Sequence, residues 1–303
     1  MYFIFLTKGW YNLKRLVKAT ILSFALSVAT MPGFPATSPT AQAASITDVI
    51  KDVLNDNSTK ADIYFEDGQR FFQQHYYEQA LESYNNAINL NSKSAPMYAA
   101  RGNLYYNMGN EISNSEIEGT LSAEARANFL KSVDDYTEAI KLSSRTMNYY
   151  QARGIAYTAL GEFNKALADY EVVIKARPDD YTIYDRRAKT YIESGKYDLA
   201  LSDLYHAKEL NPRDEVFNSY YRGVVFERQN HLEEAMKIFD DLTAKNSWFA
   251  LAWLQKGIIY EKQNKPYDAI NAYGEFQKRD KEHNQAILNF VDNRLKALSN
   301  PNN

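Results

Sequence analysis

A small residue preceded by a charged one recurs along the chain. The pairs are Asp67-Gly68, Arg101-Gly102, Arg153-Gly154, Arg187-Ala188, Arg222-Gly223 and Lys256-Gly257. The small residues are separated by 34, 52, 34, 35 and 34 positions, and the 52 equals one period plus an 18-residue insertion. Self-similarity at a fixed period of this size limits the chain to a stacked repeat architecture, in which one supersecondary unit recurs and buries its apolar face against its neighbours. Numbering each unit so that the small residue is position 8, other positions keep phase. Position 4 is Tyr64, Tyr98, Tyr150, Tyr184, Ser219 and Trp253. Position 11 is Phe71, Tyr105, Tyr157, Tyr191, Phe226 and Tyr260. Position 20 is Ala80, Ala166, Ala200, Ala235 and Ala269, and position 24 is Tyr84, Tyr170, Leu204, Phe239 and Tyr273, with Ser132 and Tyr136 as the equivalents in the interrupted unit.

The spacing has a local meaning. Positions 4, 8 and 11 fall on one face of a helix of 3.6 residues per turn. Each unit therefore reads as a helix A, a turn and a helix B. The small residue at 8 lets helix B approach, the aromatic at 11 fills the gap beside it, and the alanine at 20 is the matching contact. Gly109, Gly161 and Gly195 stand at position 15, where a helix stop is favoured. The insertion covers about 110–127. Its polar first part, NEISNSEIEGT, reads as a loop, and its second part, LSAEARANF, reads as an extension of helix B. Insertions in repeat arrays map to one face, often the binding face; a tolerated surface excursion is the other reading. Residues 282–299 carry Ile287, Leu288, Phe290, Val291, Leu295 and Leu298 at helical spacing, as expected of the amphipathic helix that caps an array.

These residues resemble the tetratricopeptide repeat family, whose aromatic, Gly, Tyr, Ala, Phe and Pro signature runs over 34 residues. The resemblance covers about 61–283. The chain departs from the pattern at position 7, which is Arg or Lys in units two to six, and at position 32, which is Pro only at Pro178 and Pro212. The resemblance implies an all-α, right-handed α-solenoid of about six helix–turn–helix repeats, closed by a capping helix and tail over 284–303.

The first 43 residues have a different composition. They hold Lys8, Lys14, Arg15 and Lys18 and no acid, then the apolar run Ala19–Met31, then a Pro-rich stretch ending Ala41-Gln42-Ala43. That order is the basic, apolar and A-x-A sequence of an export signal. The apolar run is shorter than the roughly 17–25 residues that cross a bilayer. The expectation is a signal over 1–43 cleaved after Ala43, a leader or linker over 44–60, and no stable membrane span afterwards; an uncleaved anchor is the alternative. Cleavage leaves 31 basic and 38 acidic residues, a net of -7. The expected location is the periplasm or the outside of a bacterial envelope.

Composition excludes several classes. The chain has no cysteine, hence no disulfide framework, thiolate metal site or cysteine nucleophile. Its 35 basic and 38 acidic residues argue against nucleic acid as a partner. His75, His206, His231 and His283 occupy unrelated repeat positions, and the phosphate-cradling and nucleophile-elbow motifs are absent. No enzyme activity, metal or cofactor is expected.

The basic residues at position 7 face Asp135, Asp169 and Asp203 at position 23. Pairing within a unit gives Arg101–Asp135, Arg153–Asp169 and Arg187–Asp203. Pairing across the stack gives Asp135–Arg153, Asp169–Arg187 and Asp203–Arg222. Sequence leaves both open, and either makes the stripe a scaffold ladder. The family resemblance places a groove on the inner faces of the A helices, at positions 2, 5, 9 and 12. The partner-binding residues it implies are Phe65, Gln69, Asn103, Tyr106, Asn148, Gln151, Lys189, Phe217 and Tyr220, with packing between repeats as the alternative role of the aromatic ones. The Lys/Asn clamp of chaperone-binding members is not matched at Phe65 and Gln69. The expected function is a scaffold that binds other proteins or peptide segments on this concave face. A self-assembling oligomer is the alternative, and a regulatory arm of an enzyme is a weaker one.

Overall fold

A computed structural model describes residues 56–115, 121–213, 215–280 and 285–299. The expected export signal lies outside the described residues. The chain divides into two units, Met1–Ile63 and Tyr64–Asn303. Of the first, residues 56–63 are described. There the Asp56 carboxylate accepts the Thr59 amide at 3.0 Å and so caps the start of α1 (Asn57–Gln73).

Among the described residues every regular element is a helix. Six A helices alternate with six B helices. The A helices are α1, α3 (Ala95–Ser115), α5 (Met147–Ala159), α7 (Tyr181–Glu193), α9 (Glu215–Arg228) and α11 (Ala250–Lys262). The B helices are α2 (Tyr77–Leu90), α4 (Ala123–Leu142), α6 (Phe163–Ala176), α8 (Tyr197–Leu210), α10 (Leu232–Lys245) and α12 (Pro266–Arg279). The cap is α13 (Gln285–Leu298). From α2 onward each helix packs chiefly on its sequence neighbours, which is the contact pattern of a helical repeat solenoid.

The turn between A and B has one backbone solution. Position 15 is left-handed in five units: His75 (φ 61°), Gly161 (φ 76°), Gly195 (φ 72°), Asn230 (φ 63°) and Asn264 (φ 57°). The next residue's amide then reaches back to the position-11 carbonyl, as in Glu162 to Tyr157 at 2.9 Å and Lys196 to Tyr191 at 2.8 Å. This closes the Schellman arrangement at the end of helix A. Gly suits the left-handed region because it has no Cβ, and Asn because its short polar side chain hydrogen-bonds locally.

The second unit departs from this pattern and corrects two expectations. Gly109 does not end a helix, and Asn110–Ser115, read from sequence as loop, is helical. The reason is packing. A Cβ on Gly109 would lie 3.0 Å from the Phe129 ring, so the glycine serves close helix approach. Ile112 continues the apolar face onto Ala125 and Phe129. The insertion thus lengthens both helices: α3 has 21 residues and α4 has 20, against 13 and 14 in the unit that follows. The expected extension of helix B is present, with Ser122 Oγ accepting the Ala125 amide at 3.1 Å as its cap.

Inside a unit, the residue that closes on position 8 is the aromatic at position 24. An added Cβ on Gly68, Gly154, Gly223 or Gly257 would come within 2.5 to 2.6 Å of the ring of Tyr84, Tyr170, Phe239 or Tyr273. These rings are at most 2% exposed. The fourth unit solves the same contact differently: Ala188 replaces glycine and Leu204 replaces the ring, both fully buried. At the end, Val291, Ile287, Leu288, Leu295 and Leu298 of α13 cover Leu254, Ala269, Tyr273 and Phe276, as expected of a cap. The Arg294 guanidinium pairs with Glu261 on α11. Helix α13 also touches α3.

Candidate protein-interaction face

At 100° per residue, positions 2, 5, 9 and 12 of an A helix point about opposite to positions 4, 7 and 11. The two stripes have different roles.

The stripe at 4, 7 and 11 holds the ladder, and the pairing is within units. Nε and Nη2 of Arg101 donate to Asp135 at 2.8 and 2.7 Å. Arg153 meets Asp169 at 2.9 and 2.7 Å, and Arg187 meets Asp203 at 2.7 Å through both nitrogens. Nη1 of two of them reaches the preceding helix B, Arg101 to Asn85 at 2.7 Å and Arg153 to Thr137 at 3.1 Å. The stack is therefore joined through neutral acceptors and not through a second carboxylate. Tyrosines at positions 4 and 11 flank the guanidinium, as Tyr184 and Tyr191 do for Arg187 at 5.6 and 5.8 Å. The hydrogen bonds to the aspartates hold all three guanidinium groups even more firmly charged than usual. In the sixth unit Lys256 turns instead to Asp240 of the preceding helix at 2.8 Å. In the third and fourth units the tyrosine at position 11 thus stacks on the ladder and leaves the filling of the gap at position 8 to position 24.

The opposite stripe opens into a cleft of about 320 Å3 where the second, third and fourth units meet. Its walls include Tyr106, Ile155, Thr158, Arg186, Lys189 and Glu193, and the lengthened α3 adds Asn110 and Ser113 to its rim. Buried at its floor, Thr190 shares a 2.8 Å hydrogen bond with Thr158, which donates to the Gly154 carbonyl at 3.0 Å. Arg186 and Lys189 are exposed cations on one helix. Burial raises the hydroxyl pKa of Tyr106, Tyr170 and Tyr221, and the nearby Arg186 charge opposes the rise at each. One cation thus lies near three tyrosines. The combination offers hydrogen-bond donors, apolar walls and positive charge in one concavity, a set suited to an extended peptide.

The residues singled out from sequence divide accordingly. Tyr106 and Lys189 line the cleft. Gln69 and Asn103 are exposed and Gln151 is half-buried. Asn148 is exposed and accepts from Arg177 at 2.9 Å. Three of the four aromatic candidates are more enclosed than an open groove requires. Phe65 packs on Tyr84 with ring centres 5.9 Å apart, and Tyr106 lies 5.5 Å from Phe129. Tyr220 sits among Tyr221, Phe239 and Phe249 at 5.3 to 6.1 Å, with its hydroxyl pKa pushed up to about 12 by burial. Phe217 is 52% exposed and meets Phe249 edge-on at 5.5 Å. Sequence reasoning missed Arg186. The signal available was its neighbour: Arg187 belongs to the ladder, so a basic residue one step round the helix belongs to another face.

Two family models match the chain, a TPR repeat over residues 68–109 and a tetratricopeptide repeat over 152–215. No relative was found among curated proteins. Several solved structures share the architecture. MamA (residues 41 to the end) from Desulfovibrio magneticus RS-1 is 17% identical, with 61% of this chain and 94% of that one aligned at a TM-score of 0.51. PilF of Pseudomonas aeruginosa is 12% identical, with 78% and 99% aligned at 0.53. PilW, a type IV pilus biogenesis factor, is 12% identical, with 76% and 98% aligned at 0.58. At these identities the likeness establishes the fold. The fold and its two stripes define a helical repeat scaffold for protein–protein interaction. The chain carries tetratricopeptide repeats over the matched residues.

Proposed function

We propose that the protein is an exported scaffold of a bacterial cell envelope, which binds extended segments of partner proteins on its concave face and performs no chemistry. The observation that carries this reading is the cleft around Tyr106, Thr158, Arg186 and Lys189, on the stripe that the ladder leaves free. Export is supported by the basic, apolar and Ala41-Gln42-Ala43 order over 1–43. Among the described residues no helix is long and apolar enough to cross a membrane, and no group of metal-ligating side chains converges.

A photo-crosslinking residue placed at Asn103 or Lys189 should capture a partner that the same residue at Glu171, on helix B, does not. With the crosslinker at Asn103, Arg186→Ala with Lys189→Ala should weaken that capture about tenfold, as expected when two charge-assisted contacts are lost. Unchanged capture in the double variant refutes the concave site. A reporter active only outside the cytoplasm, fused after residue 60, tests export, and an inactive fusion refutes it.

A further inference from the structure

The ladder fails at the fifth unit. Arg222 stands at position 7 like Arg101, Arg153 and Arg187, yet position 23 of its own unit is Ile238. The preceding carboxylate, Asp203, is already held by both arms of Arg187. Position 4, a tyrosine in four units and Trp253 in the sixth, is here Ser219. One place in the array has therefore lost both a carboxylate and an aromatic ring.

What remains is a cavity of about 500 Å3 between α9 and α10. Nη2 of Arg222 donates to Ser219 Oγ at 2.8 Å, and the half-exposed Tyr205 ring covers one side of the guanidinium at 5.5 Å. Nε of Arg222 is buried and has no hydrogen-bond partner. Three acids border the cavity, and each is matched by a lysine: Glu215 with Lys208 at 3.2 Å, Asp240 with Lys256 at 2.8 Å and Asp241 with Lys245 at 2.9 Å. Two cations of the cavity wall, Arg222 and Lys237, have no acid within ion-pair distance among the described residues. A guanidinium taken partly out of water without a counter-charge is unfavourable. Three sister units display the arrangement that satisfies it, a carboxylate on the fork beside an aromatic ring.

We propose that this cavity receives an acidic segment of a partner protein, with a carboxylate on Arg222 and Lys237 and an adjoining aromatic side chain in the space left by Ser219. The site lies on the ladder stripe, facing away from the concave cleft, and it does not depend on the concave reading.

The test uses the full-length protein and a fluorescein-labelled peptide of alternating glutamate and tyrosine, read by anisotropy, against a counterpart with glutamine for glutamate. The acidic peptide should bind and the glutamine peptide should bind about tenfold more weakly, the factor expected when a charge-assisted contact is lost. Ile238→Asp, which returns the ladder's internal carboxylate, should weaken binding by a similar factor while its denaturation midpoint stays at or above that of the parent. Ser219→Tyr, which fills the space, should do the same. Lys175→Ala, an exposed cation of α6 outside both cavities, should leave binding unchanged. The proposal is overturned if the acidic peptide fails to bind at about 1 mM, if the glutamine peptide binds equally, or if Ile238→Asp and Ser219→Tyr both keep the parent affinity. It is also overturned if Lys175→Ala abolishes binding.

Discussion

The contact between position 8 and position 24 makes a quantitative prediction, because the chain contains two solutions to it. In the third unit a methyl group on Gly154 would lie 2.6 Å from Cε1 of Tyr170, 3.0 Å from Cζ and 3.1 Å from Cδ1. Carbon atoms rest about 3.5–4.0 Å apart, so the ring must withdraw by about 1 Å. It cannot do so freely. Tyr170 is 1% exposed and belongs to a cluster with Val173, Ile183 and Tyr184. Overpacking of this kind costs about 1–3 kcal/mol. Replacing a helical glycine by alanine recovers up to about 1 kcal/mol of backbone propensity. Gly154→Ala should therefore destabilise the array by about 1–2 kcal/mol. Tyr170→Leu alone removes the ring and leaves a void above Gly154, costing about 2–4 kcal/mol.

The double variant recreates the pair that the fourth unit already uses, Ala188 with Leu204, both fully buried. The two changes should then be strongly non-additive, with a coupling of about 1–2 kcal/mol in the direction of rescue. The assay is urea denaturation of the parent, both single variants and the double variant, followed by circular dichroism. Additivity within about 0.5 kcal/mol, or a neutral Gly154→Ala, refutes the reasoning, because it means that the ring can move aside without loss. The converse variant, Ala188→Gly, sharpens the result. It relieves no clash and should simply lose about 1 kcal/mol of helix propensity.

Three further outcomes follow from the geometry. Asp169→Asn leaves the Arg153 fork without its counter-charge at a largely buried site and should lower stability by about 3 kcal/mol in the same denaturation assay. Gly161→Ala places a Cβ on a residue at φ 76° and should cost about 1 kcal/mol, whereas Asn264→Gly, at φ 57°, should be neutral or slightly stabilising. Alkaline titration of tyrosinate absorbance should show a late-ionising class that includes Tyr220, raised to about 12 by burial, and Tyr77, raised to about 12 by burial and then by the Glu111 carboxylate. Because these folded-state values lie above the ordinary 10, their contribution to stability is complete below pH 10 and is lost as pH climbs toward 12. Thermal melts should record that decline, and Tyr220→Phe should lessen it.

What was legible in the sequence was what repetition amplifies. A single glycine is ambiguous, but six small residues in phase with rings at positions 4, 11 and 24 restrict the packing to one arrangement. The capping helix was legible for the same reason: its apolar stripe matches the exposed end of the preceding unit. What sequence left open were choices between partners at equal spacing. Asp169 stands within reach of Arg153 and of Arg187 in any linear count, and only the fork geometry selects Arg153. The loop reading of Asn110–Ser115 failed because a polar stretch at the end of a helix follows the one apolar residue it contains, and Ile112 has the Phe129 cluster to cover. The aromatic candidates show the same limit. Tyr106 and Tyr220 share one face with Asn103 and Gln151, and whether a ring on that face points to solvent depends on neighbours a period away in sequence.

Regularity also locates function in an array of this kind. A residue that recurs at one position in most units is explained by stacking, since every unit must meet its neighbour in the same way. A unit that breaks the rule is paying for something the stack does not require, and the chain breaks its rules in two places. The second unit lengthens α3 and α4 beyond their counterparts and brings Asn110 and Ser113 to the rim of the concave cleft. The fifth unit keeps the ladder arginine but discards its aspartate and its tyrosine, leaving Nε of Arg222 buried without a partner. The two departures lie on opposite stripes of the A helices and three units apart. A partner that wraps one edge of the array could engage both, whereas a peptide confined to the concave face would meet only the first. Combining Arg186→Ala with Ile238→Asp distinguishes these cases. Separate ligands give a partner on the concave face that responds to Arg186→Ala alone, and a single wrapping partner gives a combined loss larger than either variant alone on the same ligand. If neither variant alters the affinity of a partner captured at Lys189, then neither irregularity serves that partner.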